Sequence, residues 1–240
     1  MEIFYVLLFV IAIAYASVGH GGASGYLALM ALYGVAPEVM KPTALLLNLF
    51  VSLTSFIQFY RGGYFRKQIF IPLVLASIPL AFVGGAIDVD ETLYKRVLGV
   101  LLLIPIVRFL FFPNTAASEL KPPRTGLSLA IGGSIGFLSG LIGIGGGIIL
   151  SPVLLLLKWT DQKQTAALSA LFIFVNSLSG LAGQLTRGVQ FNSQMLLYVV
   201  IAFAGGLCGA YFGALKFDQR ILKNVLAVVL MLAAYKLLFT

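Results

Sequence analysis

Apolar residues run along this chain in long blocks, with polar and charged residues gathered between them. The blocks form two sets of the same order. In the first set, an apolar segment over 3–17 meets a glycine-rich break at 19–25 and resumes as a short piece at 26–34. Longer segments follow at about 42–60, 68–87 and 92–112. The second set reads 127–142, a break at 143–147, a short piece at 148–157, then about 165–186, 194–215 and 219–239. A helix that spans a bilayer needs about 20 mainly apolar residues. The last three segments of each set meet that length, whereas the segment before each break, at about 15 residues, falls short. The pattern predicts an all-α polytopic membrane protein.

The order repeats because residues repeat. Gly19-His20-Gly21-Gly22 is answered by Gly143-Ile144-Gly145-Gly146-Gly147, Thr43-Ala44-Leu45 by Ser169-Ala170-Leu171, and Gln58 by Gln184. Arg61-Gly62 pairs with Arg187-Gly188, Phe65 with Phe191, Asp90 with Asp218, and Val97-Leu98 with Val225-Leu226. Self-similarity at a fixed offset marks a duplicated unit. The expected organisation is a first transmembrane repeat over 1–112, a polar linker over 113–124 and a second repeat over 125–240.

The broken segment admits two constructions. It crosses as one discontinuous helix, giving eight spans and parallel repeats, or it turns back at the glycines as a re-entrant hairpin. The hairpin leaves three spans per repeat and inverts one repeat relative to the other. Charge separates them. With eight spans the 16 Lys and Arg divide evenly between the faces. With hairpins, the stretches 61–67, 108–124, 158–163 and 216–223 share one face and carry eleven of the 16. Such a bias is what the positive-inside rule requires, so inverted repeats are favoured. Length agrees, since a broken helix of about 31 residues would run about 46 Å against a hydrocarbon core of about 30 Å.

Composition narrows the class further. Sixty per cent of the 240 residues are hydrophobic and 10% are charged, against about 25% charged in a soluble domain. That excludes most soluble enzyme folds and disordered chains. The net charge of +8 is spread singly and in pairs through the loops, with no basic face to receive a phosphate backbone, so no nucleic-acid partner is expected. Ala14-Tyr15-Ala16 imitates a signal-peptide cleavage site, but Glu2 stands where a basic residue belongs and the segment recurs in mid-chain. A single cysteine, Cys208, excludes an internal disulfide and a cysteine-rich metal site. There is no HExxH, no cysteine pair and no phosphate-binding loop, so neither an enzyme nor a cofactor is expected.

The glycine breaks carry the candidate chemistry. Glycine inside a helix costs about 1 kcal/mol relative to alanine, and lipid offers no partner to the amides it frees. Non-helical backbone at membrane depth is tolerated only where it is buried in protein or lines a cavity. Paired breaks in matching repeat positions point to a transporter's binding site. The helix restarting after each break directs free N–H groups and its positive dipole end at the break, which suits an anion. Packing explains other glycines better: Gly136 and Gly140, or Gly205, Gly209 and Gly213, keep the four-residue spacing of a helix–helix seam.

Candidate binding positions are therefore Gly19, His20, Gly21, Gly22 and Ser24 at the first break, and Gly143, Gly145, Gly146 and Gly147 at the second. Polar residues in the spans that follow join them: Asn48 and Ser52, then Ser169, Asn176 and Ser177. At helical spacing Asn48, Ser52 and Ser55 share a face, as Ser169, Asn176 and Ser179 do approximately. Such groups either line a pathway or bond helix to helix. His20, the only histidine, reads as a substrate ligand or proton relay, although Ile144 replaces it in the second copy. Lys41 attracts an anion or snorkels. Arg61 and Arg187 suit helix C-terminal ends.

The run Gly136-Phe137-Leu138-Ser139-Gly140-Leu141-Ile142-Gly143-Ile144-Gly145-Gly146-Gly147, with Pro152 soon after, resembles the hallmark of the TauE/SafE family of sulfite exporters. Ser17 to Ser24 with Pro37, Ala167 to Gly180, and Arg187-Gly188 are similar too, so the likeness covers nearly the whole chain. Where this family shows an apolar residue and a further glycine, this chain has His20 and Ala23-Ser24. The resemblance implies a secondary permease in the inner membrane of a prokaryote. Its substrates would be sulfite, thiosulfate, organosulfonates or related small anions, with an anion channel as the alternative. It implies the glycines of both breaks as the site, and leaves a coupling proton or ion and an oligomer open.

Overall fold

The computed structural model describes residues 2–17, 21–111, 120–189, 191–213 and 219–239. Within them the chain is helical, in two runs of five. The first comprises α1 (Glu2–Ser17), α2 (Ala23–Leu32), α3 (Pro37–Arg61), α4 (Lys67–Ala86) and α5 (Glu91–Phe111). The second comprises α6 (Thr125–Ile142), α7 (Gly147–Leu156), α8 (Gln162–Leu185), α9 (Ser193–Gly213) and α10 (Gln219–Phe239). Four of these, α3, α4, α6 and α8, are long and apolar enough to cross a membrane. Leu75, Val100 and Val200 are each more than half exposed, an outer surface suited to lipid.

Several boundaries differ from the sequence reading: α2 begins at Ala23, so residues 23–25 assigned to the break are helical, and α8 begins about three residues early. Helix α3 begins at Pro37, five residues ahead of the expected start, because a proline is well placed in the first turn, where no N–H is needed. Pro42 then lies inside the helix. Helix α6 runs for 18 residues, so the segment before the second break is long enough to span, contrary to the length argument.

The chain reverses at each break. Residues 11 and 25 would lie about 21 Å apart along one continuous helix at 1.5 Å per residue. Instead, a Cβ on Gly25 would lie 2.6 Å from Ile11 Cγ2 and 2.6 Å from Tyr15 Cε2, and the Tyr15 and Ser24 hydroxyls are hydrogen-bonded at 2.7 Å. Helix α2 therefore folds back along α1. At the second break a Cβ on Gly146 would lie 2.8 Å from Ile135 Cγ2, which returns α7 toward the middle of α6.

Helices α3 and α8 cross in opposite directions. Asn48 bonds Ser177, Gly180 faces Leu45, and Lys163 bonds Tyr64, so rising numbers on one helix meet falling numbers on the other. Helices α5 and α10 are likewise opposed: Thr92, Lys95 and Gly99, in the first half of α5, lie beside Leu237, Leu238 and Phe239 at the end of α10. The pairs α4–α6 and α1–α9 run in the same direction and approach through glycine. Gly132, Gly136 and Gly140 meet the carbonyls of Leu73, Ser77 and Ala81, while Gly205 and Gly209 meet those of Phe9 and Ile13. The packing role expected for Gly136, Gly140, Gly205 and Gly209 is what these contacts provide.

Candidate functional site

Both breaks close on one point. Each short helix starts at a glycine in the left-handed region, Gly22 (φ 90°) for α2 and Gly146 (φ 76°) for α7, and neither start has a side-chain capping bond. The first amides of α2 and α7 therefore face the break without a capping side chain. Ahead of them sit Gly21 and Gly145. A Cβ on Gly21 would lie 3.0 Å from Asn48 Oδ1, and one on Gly145 would collide with Asn48 Nδ2. A single amide thus touches both breaks. Ile173 does the same from α8, with its Cγ2 2.9 Å from the Cβ position of each glycine and its outer carbons against Gly147.

The side chains around this point form a short network. Asn48 Nδ2 donates to Ser177 Oγ at 3.2 Å, while Asn48 Oδ1 has no partner. Because Ser177 can donate as well as accept, half a turn of the Asn48 amide would move its N–H groups from the Gly145 side to the Gly21 side. Asn176 Nδ2 donates to the Phe172 carbonyl, leaving Oδ1 unpaired. Ser151 donates to the Gly147 carbonyl and is bonded to Ser169 at 2.8 Å, which ties α7 to α8 just past the break. All of these side chains are buried. An unpaired polar atom in such a place carries a desolvation cost of about 1–3 kcal/mol, so Asn48 and Asn176 are poised for a partner.

The family model for the sulfite exporter TauE/SafE matches residues 4–237. This chain belongs to the TauE/SafE family. It is 35% identical over 98% of its length, and 96% of the relative's, to a probable membrane transporter protein, y4hK, of Sinorhizobium fredii. It is 24% identical to the probable membrane transporter protein YunE of Bacillus subtilis, over 85% of this chain and 82% of that one. A third relative, the probable membrane transporter protein YdhB of Bacillus subtilis, is 25% identical over 92% and 91%. No solved structure matches the chain. As a TauE/SafE protein it is an integral membrane protein of a transporter family.

The sequence-predicted positions of this TauE/SafE chain divide into three groups. Gly21, Gly145, Gly147, Asn48, Ser177 and Ser169 come together around Ile173. Others are near but occupied: Gly22 lies against the Tyr26 ring, Gly146 against Phe172, and Gly143 against Lys41. Ser24 is taken by Tyr15, and Ser52 donates to the Asn48 carbonyl within its own helix. Gly19 and His20 lie outside the described residues. Ser179 leaves the face assigned to it and donates to the Ile78 carbonyl of α4; Ser177, two positions earlier, turns toward Asn48 instead. Ile173 was missed. Its signal was positional, four residues after Ser169 and four before Ser177 on one helical face.

Proposed function

We propose that this TauE/SafE chain is a secondary transporter of small sulfur-containing anions such as sulfite, thiosulfate or organosulfonates. The anion would be held between the two glycine breaks, in the inner membrane of a prokaryote. The observation that carries this reading is the Asn48 amide in contact with both Gly21 and Gly145. Uncapped helix starts would supply backbone N–H groups and positive dipole ends, and Asn48 and Ser177 would orient the bound oxyanion. The low charge content is consistent with recognition by amides and neutral side chains.

The architecture that suits this function is a pair of inverted repeats, each a re-entrant hairpin followed by three spans. What supports it is the opposed crossing of the equivalent pairs α3–α8 and α5–α10, since parallel repeats would align equivalent helices in the same direction. The chain reversal at each break supports the hairpin. Ile173, which flanks Gly21, Gly145 and Gly147 and narrows the space between the breaks, favours a carrier over a permanently open pore. One repeat moving against the other would expose the site to each side in turn.

Counterflow into proteoliposomes tests the reading. Reconstituted protein loaded with unlabelled thiosulfate should take up labelled thiosulfate saturably, and sulfite should compete. Uptake linear in concentration with single-channel current would point to an anion channel. No movement of sulfite, thiosulfate or an organosulfonate would remove the reading.

A further inference from the structure

Beside the second break, one buried cation makes no ion pair among the described residues. Lys41, in the second turn of α3, is only 7% exposed, and its ammonium has no ion pair or hydrogen bond among the described residues. It lines a pocket of about 90 Å³ together with Gln184 of α8. Gln184 is 1% exposed, and neither its Nε2 nor its Oε1 has a partner. Two buried polar side chains, neither with a side-chain bonding partner among the described residues, thus line one cavity. About 10–15 Å³ by the same measure admits a single water, so the space takes a small polyatomic ion.

The charges around the pocket are ordered by depth. Asp88, Glu38 and Glu91 lie on its lining, and all three are exposed residues at the mouth. Two of them are engaged: Asp88 with Arg187, and Glu91 with Lys95 at 2.7 Å. Arg187 also donates to the Ile87 carbonyl, which spans the rim from α8 to the end of α4. Lys41 lies beneath this rim, where solvent screens least. Attraction between charges grows several-fold as the effective dielectric falls from water toward the interior, so the unpaired inner ammonium governs what the pocket accepts.

The inner end of the pocket adjoins the second break. A Cβ on Gly143 would lie 3.0 Å from the Lys41 carbonyl and 3.1 Å from Lys41 Cγ. Tyr94, another lining residue, donates to the carbonyl of Ile142 at 2.9 Å. Lys41 and Gln184 each stand seven residues, or about 10 Å, from the Asn48–Ser177 contact, on the same side of it.

We infer that Lys41 and Gln184 form a second anion-binding station, a vestibule that holds a small oxyanion one step outside the glycine breaks. Lys41 supplies the charge. Gln184 supplies one donor and one acceptor, which suits an oxyanion carrying a proton or a bound water. The vestibule's role in transport rests on the reading of the breaks given above; its binding chemistry does not.

Isothermal titration of detergent-solubilised full-length protein with thiosulfate separates the two stations. A Gly145→Leu background blocks the break, so binding that remains there reports the vestibule. In that background Lys41→Met should weaken thiosulfate binding at least tenfold, Gln184→Leu at least threefold, and Lys41→Arg less than threefold. Unchanged affinity in Lys41→Met, or no binding in the Gly145→Leu protein, overturns the vestibule. Thermal unfolding of each variant within a few degrees of its parent excludes misfolding as the cause. Wild-type protein that binds thiosulfate through Lys41 yet shows no counterflow would leave the vestibule standing and remove the transport reading.

Discussion

At the scale of single residues, the candidate site depends on what is missing at Gly145. Its φ of 75° is a left-handed backbone that costs an L side chain about 1–2 kcal/mol. A Cβ there would also collide with Asn48 Nδ2 and lie 2.9 Å from Ile173. Gly145→Leu is therefore expected to cut anion counterflow at least a hundredfold, while membrane insertion and yield stay close to wild type; undiminished flux would dismiss the glycine site. Asn48→Leu should raise the half-saturating anion concentration tenfold or more, since it removes the amide that both breaks share. Most of this site could be read from the chain, because glycine clusters and buried amides are costly in lipid wherever they occur. Hydroxyls were less legible. Ser24 and Ser52 resemble site residues in sequence, but their bonds to Tyr15 and to the Asn48 carbonyl depend on which group happens to be nearest. Ile173 carries no polar signal at all.

At the scale of elements, the helices were legible to within a few residues because apolar block length and glycine breaks determine them. The start of α3 was not, since Pro42 suggests a helix boundary while Pro37 in fact supplies it. Pairing between helices could be read where glycine keeps a four-residue spacing. Along α6, Gly132, Gly136 and Gly140 bring its backbone against the carbonyls of Leu73, Ser77 and Ala81, close enough for Cα–H···O contacts. No flexible side chain stands there to give way. Gly136→Leu must push α4 and α6 apart, at a cost of about 1–3 kcal/mol for an overpacked interface. The expected outcome is a melting temperature in detergent lowered by several degrees. Gly126→Leu, at a position with nothing within 4 Å of a Cβ, should leave the melt unchanged; equal shifts in the two variants would mean that the α4–α6 seam does not hold the fold.

At the scale of the whole molecule, the chain's pattern left two constructions standing, and the bias of Lys and Arg, with the length of the broken segment, favoured one of them. The contacts that support the proposed inverted arrangement, Gly25 on Ile11 and Asn48 on Ser177, join residues too far apart for periodicity to relate. The proposed inverted repeats have a direct consequence. Arg66 precedes α4 and Asn192 precedes α9, equivalent and exposed positions in the two halves. Inversion puts them on opposite faces of the membrane, whereas parallel repeats put them on the same face. In a Cys208→Ala background, single substitutions Arg66→Cys and Asn192→Cys can be probed with a membrane-impermeant thiol reagent on intact cells and on inverted vesicles. The stretches 61–67, 108–124, 158–163 and 216–223 hold eleven of the 16 basic residues, which assigns that face to the cytoplasm. Arg66→Cys should then react only in inverted vesicles and Asn192→Cys only in intact cells. Labelling of both from one side would overturn the inverted arrangement. Labelling from opposite sides in the reverse sense would keep the inversion and refute the charge-based orientation, turning the Lys41 pocket, which opens beside Arg187 at the Asn192 end of α8, from the outer face to the inner one.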